Sequence, residues 1–430
     1  MTGDLSYLFA QIPSAVNLRT KVLNDLGMHK SVVCYVSTKH ILDSVQSFFA
    51  ASLQHQSFYC STVTLDFHTN DLDPISVIRR QLDLPAPLSP EPQSLEEFMQ
   101  DHNLPDVIIL NGISEMNCST RQWWWNFVRQ WAGKSHALIS AEVIETPALL
   151  VLTTVESPNE ILQGDTMLSS YWWWSIPSHL EARLICRLEH TNLPHLNERT
   201  DWREAILPSL VGGSLELAQY IWEYSDKSVE IIQERLREYA KSLGWTETNL
   251  RKAGIEQFLH NHWLRSNRRE IRPNRSEQEL WGMGVLSYTP EEGIWICSAA
   301  LAIIDQVAIL RHRLWRGQAS LVLPVIDELR LKICQRFINL YGQSWHIEWT
   351  GSNSDSKSEP REDNPLATEW GHLENSLYRT PVRKEREMLP VVQTARRLRN
   401  TLAHYQLIDY EDYETLLNLI NLHVKERQVS

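Results

Sequence analysis

The sequence predicts a multidomain protein in which an α/β part with a parallel sheet precedes mainly helical parts. Over residues 1–190, short apolar and β-branched runs alternate with helical segments, a pattern typical of parallel strands covered by helices on both faces. From about residue 195, apolar residues recur every three or four positions, which favours amphipathic helices. A chain of 430 residues, 43% of them hydrophobic, is long enough for two or three domains.

Four strands are predicted in the α/β part. Each is a short apolar run without the polar alternation of a half-exposed sheet. The predicted strands cover residues 31–36, 61–66, 106–110 and 148–153, and the helices between them cover residues 41–50, 74–82 and 119–132.

Residues 195–300 are predicted to be helical with one small hairpin. Three amphipathic helices cover residues 202–210, 214–225 and 228–243, and a short helix follows at 277–283. Two apolar runs, 284–288 and 294–297, flank a turn that contains proline and glycine, so they predict a two-stranded wing.

The last part is predicted to be a helical bundle. Five helices cover residues 299–314, 321–340, 367–378, 386–405 and 410–425. In the fourth, Leu389, Val392, Ala395, Leu398 and Leu402 form one apolar stripe that faces a core.

Residues 396–405 (RRLRNTLAHY) are the candidate functional segment. Arg399 and His404 are five residues apart, and Asn400 precedes His404 by about one helical turn. If the helix continues through Tyr405, Asn400 and His404 share a face that Arg399 flanks. A cation and an imidazole at one edge of a helix could bind and cleave a phosphodiester.

This arrangement resembles the HEPN superfamily of helical domains, whose signature is an arginine, a polar residue, three further residues and a histidine. The resemblance covers about the last 120 residues, and RNTLAH is its specific part. It implies a metal-independent ribonuclease that works as a dimer and leaves a 2′,3′-cyclic phosphate. The alternative is structural: Arg399 pairs with a carboxylate, and His404 packs inside the bundle.

If the chain is a ribonuclease, six residues have expected roles. Arg399, Asn400 and His404 would be catalytic: His404 would act as acid and base at the ribose 2′-hydroxyl, Arg399 would stabilise the pentavalent phosphate, and Asn400 would orient either group. Arg396, Arg397 and Tyr405 would contact RNA, with Tyr405 either stacked on a base or part of the core.

The order of strands and helices in residues 1–190 resembles the core of a P-loop NTPase of the AAA+ or STAND type. Residues 191–300 then resemble the helical lid and winged helix that follow such cores. The first loop, residues 36–40 (VSTKH), contains no glycine, and Asn111 stands where a magnesium-binding carboxylate is expected. We therefore expect an inactive domain without a nucleotide cofactor. An unrelated doubly wound α/β domain is the alternative.

The net charge of −12 argues against a protein that coats nucleic acid, so any RNA contact must be local. Arg396, Arg397 and Arg399, with the basic residues of segment 383–386, supply a local basic patch or simply a solvated helix face. Six scattered cysteines predict a reduced, cytoplasmic protein without a metal site, and we expect no membrane span.

Two tryptophan triplets, residues 123–125 and 172–174, cannot point into a single core. They predict either a protein-partner surface or side chains that bridge two packing layers.

The sequence therefore predicts three domains, at residues 1–190, 191–300 and 301–430. The predicted function is a ribonuclease effector with an inactive NTPase-like sensing or docking module, which forms a homodimer through its C-terminal domain and belongs to a bacterial defence or toxin-type system. The alternative is a non-catalytic scaffold in which both parts only bind proteins or RNA.

Overall fold

A computed structural model describes the following residues: 6–66, 73–85, 93–140, 146–154, 167–174, 181–183, 198–212, 214–259, 272–289, 293–350, 364–380 and 382–425. The chain forms two compact units. The sheet unit comprises Met1–Ile185, Gly212–Glu216 and Trp245–Ala300, and the helical unit comprises Cys186–Val211, Leu217–Gly244 and Leu301–Ser430. The segment predicted as a middle domain divides between these two units, because its first helices belong mostly to the helical unit and its hairpin to the sheet unit.

The elements are numbered along the chain. The strands are β1 (Ser31–Val36), β2 (Cys60–Thr64), β3 (Val107–Asn111), β4 (Ala148–Thr153), β5 (Leu168–Trp173), β6 (Leu286–Thr289) and β7 (Gly293–Ile296). The helices up to the hairpin are α1 (Ser6–Phe9), α2 (Pro13–Gly27), α3 (Lys39–His55), α4 (Pro74–Gln81), α5 (Leu95–Met99), α6 (Cys118–Ser140), α7 (Glu198–Val211), α8 (Leu215–Ile221), α9 (Val229–Ser242), α10 (Glu247–Lys252), α11 (Glu256–Leu259) and α12 (Arg275–Gly282). The helices after it are α13 (Ser298–Ile303), α14 (Val307–Tyr341), α15 (Trp345–Thr350), α16 (Trp370–Arg379), α17 (Arg383–Arg386), α18 (Leu389–Ala403) and α19 (Tyr410–Ile420), which a π-turn extends over Asn421–Lys425.

The sheet unit is built on five parallel strands in the order β2-β3-β4-β1-β5. Strand β1 lies between β4 and β5, with Val32 in register with Leu150 on one side and Ser169 on the other. The parallel sheet with helices is confirmed, and strands β1 and β4 have the predicted bounds. Strand β5 (LSSYWW) was not predicted, because it contains no β-branched residue.

The second tryptophan triplet bridges the two faces of this sheet. Successive strand residues point to opposite faces. Trp173 contacts Phe9 and Phe48 on the face covered by α1 and α3, at centroid distances of 5.2 and 6.0 Å. Trp172 stacks on Tyr35 at 4.0 Å on the opposite face.

The prediction of a tryptophan-rich partner surface is therefore wrong for residues 172–174. All three of these side chains are buried, and the rings of Trp172 and Trp174 both contact Trp281. In the first triplet, on α6, Trp124 and Trp125 are also buried, and only Trp123 is exposed. The alternative, that the side chains bridge two packing layers, describes the second triplet.

Helix α14 is the longest of the described helices, at 35 residues, and forms the spine of the helical unit. Two helices, at 299–314 and 321–340, had been expected here. The chain instead breaks earlier, at Asp305, whose φ is 59°, and then continues without interruption through Gly317 and Pro324. Gly317 lies inside the helix, where α14 packs closely on α7: a Cβ there would meet Ile206 Cα at 2.6 Å.

The other helices of this unit pack around α14. Helices α7, α9 and α18 contact it directly, and α19 contacts both α18 and α7. Trp202 of α7 packs between Tyr410 and Tyr413 of α19, with centroid distances of 5.8 and 5.4 Å. The helical character predicted for residues 301–430 is thus confirmed for the described part.

Among the described residues, no helix is both long and apolar enough to cross a membrane. The described cysteines form no disulfide with one another. Burial raises the pKa of the Cys34 thiol to about 12 and that of Cys334 to about 11, so both thiols stay protonated at neutral pH.

The packing of α14 on α7 can be tested at Gly317, with Gly133 of α6 as a control outside that contact. Replacing Gly317 with alanine should lower the free energy of unfolding by about 1–3 kcal/mol, because the new methyl group meets backbone atoms of Ile206. Replacing Gly133 of α6 with alanine should raise the free energy of unfolding by about 0.5–1 kcal/mol, because no atom lies within 4 Å of the new Cβ. Urea unfolding of both variants measures this, and equal effects would contradict the packing described.

Candidate functional site

The candidate segment lies at the C-terminal end of α18, where the helix stops two residues earlier than expected. His404 is the C-cap, and Tyr405 adopts a left-handed conformation with φ of 58°. The backbone N–H of Gln406 donates to the carbonyl of Thr401, and that of Tyr405 to the carbonyl of Leu402. This is a Schellman motif, in which Tyr405 takes the position that glycine usually fills. The expectation of helix through Tyr405 is therefore wrong, because the chain turns after Ala403.

Long-range hydrogen bonds from α14 hold this turn in place. The Trp315 indole N–H donates to the carbonyl of Leu402 over 2.7 Å. The Gln318 amide forms a reciprocal pair with Ile408: its Nε2 donates to the carbonyl at 2.9 Å, and its Oε1 accepts from the backbone N–H at 3.0 Å. Since this pair is buried, little water competes with it. The turn between α18 and α19 is thus fixed to the spine of the unit.

A cleft of about 590 Å³ opens beside α18. Three arginines, two acidic residues, one amide and a few apolar side chains line it. The lining residues are Leu323, Ile326, Asp327, Arg330, Ala367, Glu369, Trp370, Gly371, Arg396, Arg399 and Asn400. Two of the three predicted catalytic residues, Arg399 and Asn400, therefore share one cleft, and the Arg399 guanidinium donates to Asn400 Oδ1 at 3.2 Å.

Two of the three cleft arginines are occupied by structural contacts. Arg330 donates to Asp327 at 2.9 Å and to the carbonyls of Leu366 and Thr368, so it fixes the segment before α16 to α14. Arg396, a predicted RNA contact, forms an ion pair with Glu374 at 2.5 Å. A hydrogen bond from Arg396 lowers the pKa of the Glu374 carboxyl, so this pair is held in its charged form.

Arg399, the third arginine of the cleft, differs from Arg330 and Arg396 in its partners. Among the described residues, no carboxylate lies within ion-pair distance of its guanidinium, and its side chain is exposed. An arginine with free donors at the wall of an open cleft is suited to bind an anion such as a phosphate.

The remaining predicted residues lie outside this cleft. His404 is exposed and does not line the cleft, and among the described residues its ring has no hydrogen-bond partner. Arg397 points to α19 and forms a two-point ion pair with Asp412, with N–O distances of 2.7 and 3.2 Å. Tyr405 is exposed and packs on Trp315, with ring centroids 4.6 Å apart.

The purely structural interpretation of the segment is not met in the described residues. It requires a carboxylate partner for Arg399 and a buried His404, and the structure has neither. The structural role belongs to Arg397, the neighbour that pairs with Asp412.

The site also includes residues that sequence analysis did not identify. Trp315 and Gln318 fix the turn after α18 from positions 87 and 90 residues earlier in the chain. Arg330 and Trp370 supply two walls of the cleft. No local pattern marks these residues, although a glutamine on the buried stripe of a helix, such as Gln318, is a weak indication of a polar contact.

In the sheet unit, the positions where a P-loop NTPase would bind nucleotide make contacts with other residues of the protein. Asn111, at the end of β3, is buried and donates its amide to Gln46 Oε1 at 2.7 Å. Next to the segment after β1, Gly284 has φ of 75°, and a Cβ there would lie 2.7 Å from the Thr38 methyl group. The rings of Trp172 and Trp281, 5.4 Å apart, fill the adjoining face of the sheet. No group of three or more potential metal-binding side chains occurs within the described ranges.

Stability measurements should separate the structural arginine from the free one. Arg397→Ala removes the ion pair with Asp412 and should lower the free energy of unfolding by up to about 1 kcal/mol, since the pair is near the surface. Arg399→Ala removes no ion pair with a described residue and should change it by less than about 0.5 kcal/mol. Urea denaturation of both variants checks this order, and a larger loss for Arg399→Ala would mean that its guanidinium has a structural role.

The resemblances to the HEPN superfamily and to P-loop NTPases rest on the sequence of this chain alone. Comparison of the chain with protein-family models, with curated proteins and with solved structures finds no match. The functional argument that follows therefore uses the geometry of the cleft and of the turn after α18.

Proposed function

We propose that this protein is a metal-independent endoribonuclease of the HEPN type. The observation that carries the proposal is the exposed Arg399 guanidinium, which lines an open cleft, has no carboxylate partner among the described residues, and lies five residues before an exposed His404. A phosphate over the end of α18 would meet a cation and a proton-exchanging group.

The chemistry follows from these two groups. His404 accepts the proton of the ribose 2′-hydroxyl, and the resulting oxygen attacks the adjacent phosphorus. Arg399 donates two hydrogen bonds to the equatorial oxygens, whose negative charge rises in the pentavalent state. Asn400, hydrogen-bonded to Arg399, orients that guanidinium. The bond to the 5′-oxygen breaks, this oxygen takes a proton from water or a second imidazole, and a 2′,3′-cyclic phosphate remains.

Because Arg399 and Asn400 line the cleft and His404 stands outside it, the RNA would cross the rim of the cleft. Arg396 would add positive charge there, although Glu374 shares it. A homodimer formed through the C-terminal bundle would bring a second copy of the segment and a second imidazole. We place such an effector in a bacterial defence or toxin-type system.

For the sheet unit we propose an inactive NTPase-like sensing or docking module. Its parallel sheet is compatible with a P-loop-like core. Three features support the loss of nucleotide binding: the segment after β1 has no glycine, Gly284 touches Thr38 beside it, and Asn111 is engaged with Gln46. Adding Mg²⁺ and ATP should therefore leave the melting temperature unchanged, and a clear increase would contradict this assignment.

A second candidate function is a scaffold that binds RNA or proteins without cleaving. The position of His404 outside the cleft favours it, because Arg399 and Asn400 alone suffice to hold a phosphate.

Cleavage assays distinguish the two functions. A labelled single-stranded RNA incubated with wild-type protein in EDTA should be cut, because the reaction uses no metal. Arg399→Ala and His404→Ala should each lower the rate by roughly 100-fold or more. Two exposed residues of the sheet unit, Arg80 and His55, provide matched controls, and their alanine variants should keep the wild-type rate.

Cleavage that persists in both Arg399→Ala and His404→Ala would remove the catalytic assignment. RNA binding without cleavage by any variant, with affinity lost in Arg399→Ala, would favour the scaffold.

A further inference from the structure

Three aromatic rings form a short ladder on the surface of the helical unit. His312 lies on Trp315 at a centroid distance of 5.5 Å with planes 27° apart, and Trp315 contacts Tyr405 at 4.6 Å with planes 38° apart. Tyr405 is the outer ring and is 69% exposed. Among the described residues, no further ring contacts it, so one face of this aromatic ring is open to solvent.

The backbone holds the Tyr405 ring in this place at an energetic cost. A tyrosine with φ of 58° lies in the left-handed region, where its Cβ crowds the backbone and a glycine would be more stable. The Trp315 ring that supports it is itself fixed by the hydrogen bond to Leu402. An exposed ring that sits on a strained backbone and packs on a fixed neighbouring ring is typical of a functional contact rather than of core packing.

The surroundings of the ladder are polar and basic rather than apolar. His404 and Gln406, on either side of Tyr405 in the chain, are exposed, and so is Arg311 beside His312. Arg399 lies six residues before Tyr405 in the chain and lines the cleft, which Tyr405 does not. A flat aromatic face flanked by an exposed arginine and an exposed histidine fits a nucleobase next to its phosphate better than an apolar protein segment.

We propose that the open face of Tyr405, backed by Trp315 and His312, is a stacking platform for one base of a single-stranded nucleic acid. The inference rests on the proposed function, since the stacked base would belong to the RNA that the proposed ribonuclease cleaves. Stacking does not read the identity of a base, so the platform would position the chain without strong sequence preference.

Binding of an uncleavable RNA tests the platform apart from catalysis. The probe is a labelled single-stranded 2′-O-methyl RNA, which lacks the nucleophilic hydroxyl, added to the full chain. Tyr405→Gly removes the ring and suits the left-handed backbone, so the variant should fold. It should bind the probe about 5- to 150-fold more weakly. Tyr405→Phe keeps the ring and should stay within about twofold of wild type.

Tyr378→Ala serves as the control, because it removes another exposed tyrosine of the same unit, and it should bind as wild type does. An oligonucleotide of abasic residues should bind wild type and Tyr405→Gly equally, since it has no base to stack.

The outcomes separate this inference from the proposed function. Wild-type affinity in Tyr405→Gly overturns the platform, whatever the cleavage assay gives. Loss of binding with no RNA cleavage by wild type supports the platform and removes only the nuclease. Conversion of a dimer to a monomer by Tyr405→Gly, seen by light scattering, overturns the platform, because the ring would then be an interface between copies.

Discussion

The candidate site depends on the hydrogen bonds by which helix α14 fixes the turn after α18. Trp315 binds the Leu402 carbonyl, and Gln318 pairs with both backbone groups of Ile408. A buried polar pair of this kind tolerates little change in geometry, because either partner alone would be left unsatisfied. The turn can therefore keep Tyr405 in a left-handed conformation and His404 exposed, although neither residue favours such a turn by itself.

The arginines of α18 have different partners. Around the helix axis, Arg397 lies about 100° from Arg396 and about 160° from Arg399, whereas Arg396 and Arg399 are about 60° apart and both line the cleft. Arg396 meets Glu374, Arg397 meets Asp412, and Arg399 donates to Asn400, with no carboxylate within ion-pair distance among the described residues. The basic patch in the sequence is thus three separate contacts, and the negative charge of the whole chain is compatible with one local anion site.

The sequence was most informative where one local pattern decides the structure. The buried runs of β1 and β4 gave correct strand bounds, and the apolar stripe of α18 gave its core face. Strand β5 was missed because its two serines interrupt the apolar run that marks a buried strand, and it pairs with β1, a strand distant in the chain. The end of α18 at Ala403 was missed because the αL position is a tyrosine, held by contacts from about 90 residues away. Within the candidate site, Arg399 and Asn400 were found together in the cleft, whereas the surrounding cleft residues come from distant segments.

The central claim is that Arg399 and His404 act on a phosphodiester through the neighbouring 2′-hydroxyl. The most direct measurement uses a single-stranded DNA oligonucleotide with one ribonucleotide at a known position, incubated with the protein in EDTA and analysed by mass spectrometry. The account predicts a single cut on the 3′ side of the ribonucleotide, with a 2′,3′-cyclic phosphate on one product and a 5′-hydroxyl on the other. Cleavage at deoxyribonucleotides, or an intact oligonucleotide under conditions in which the protein binds it, would contradict the account.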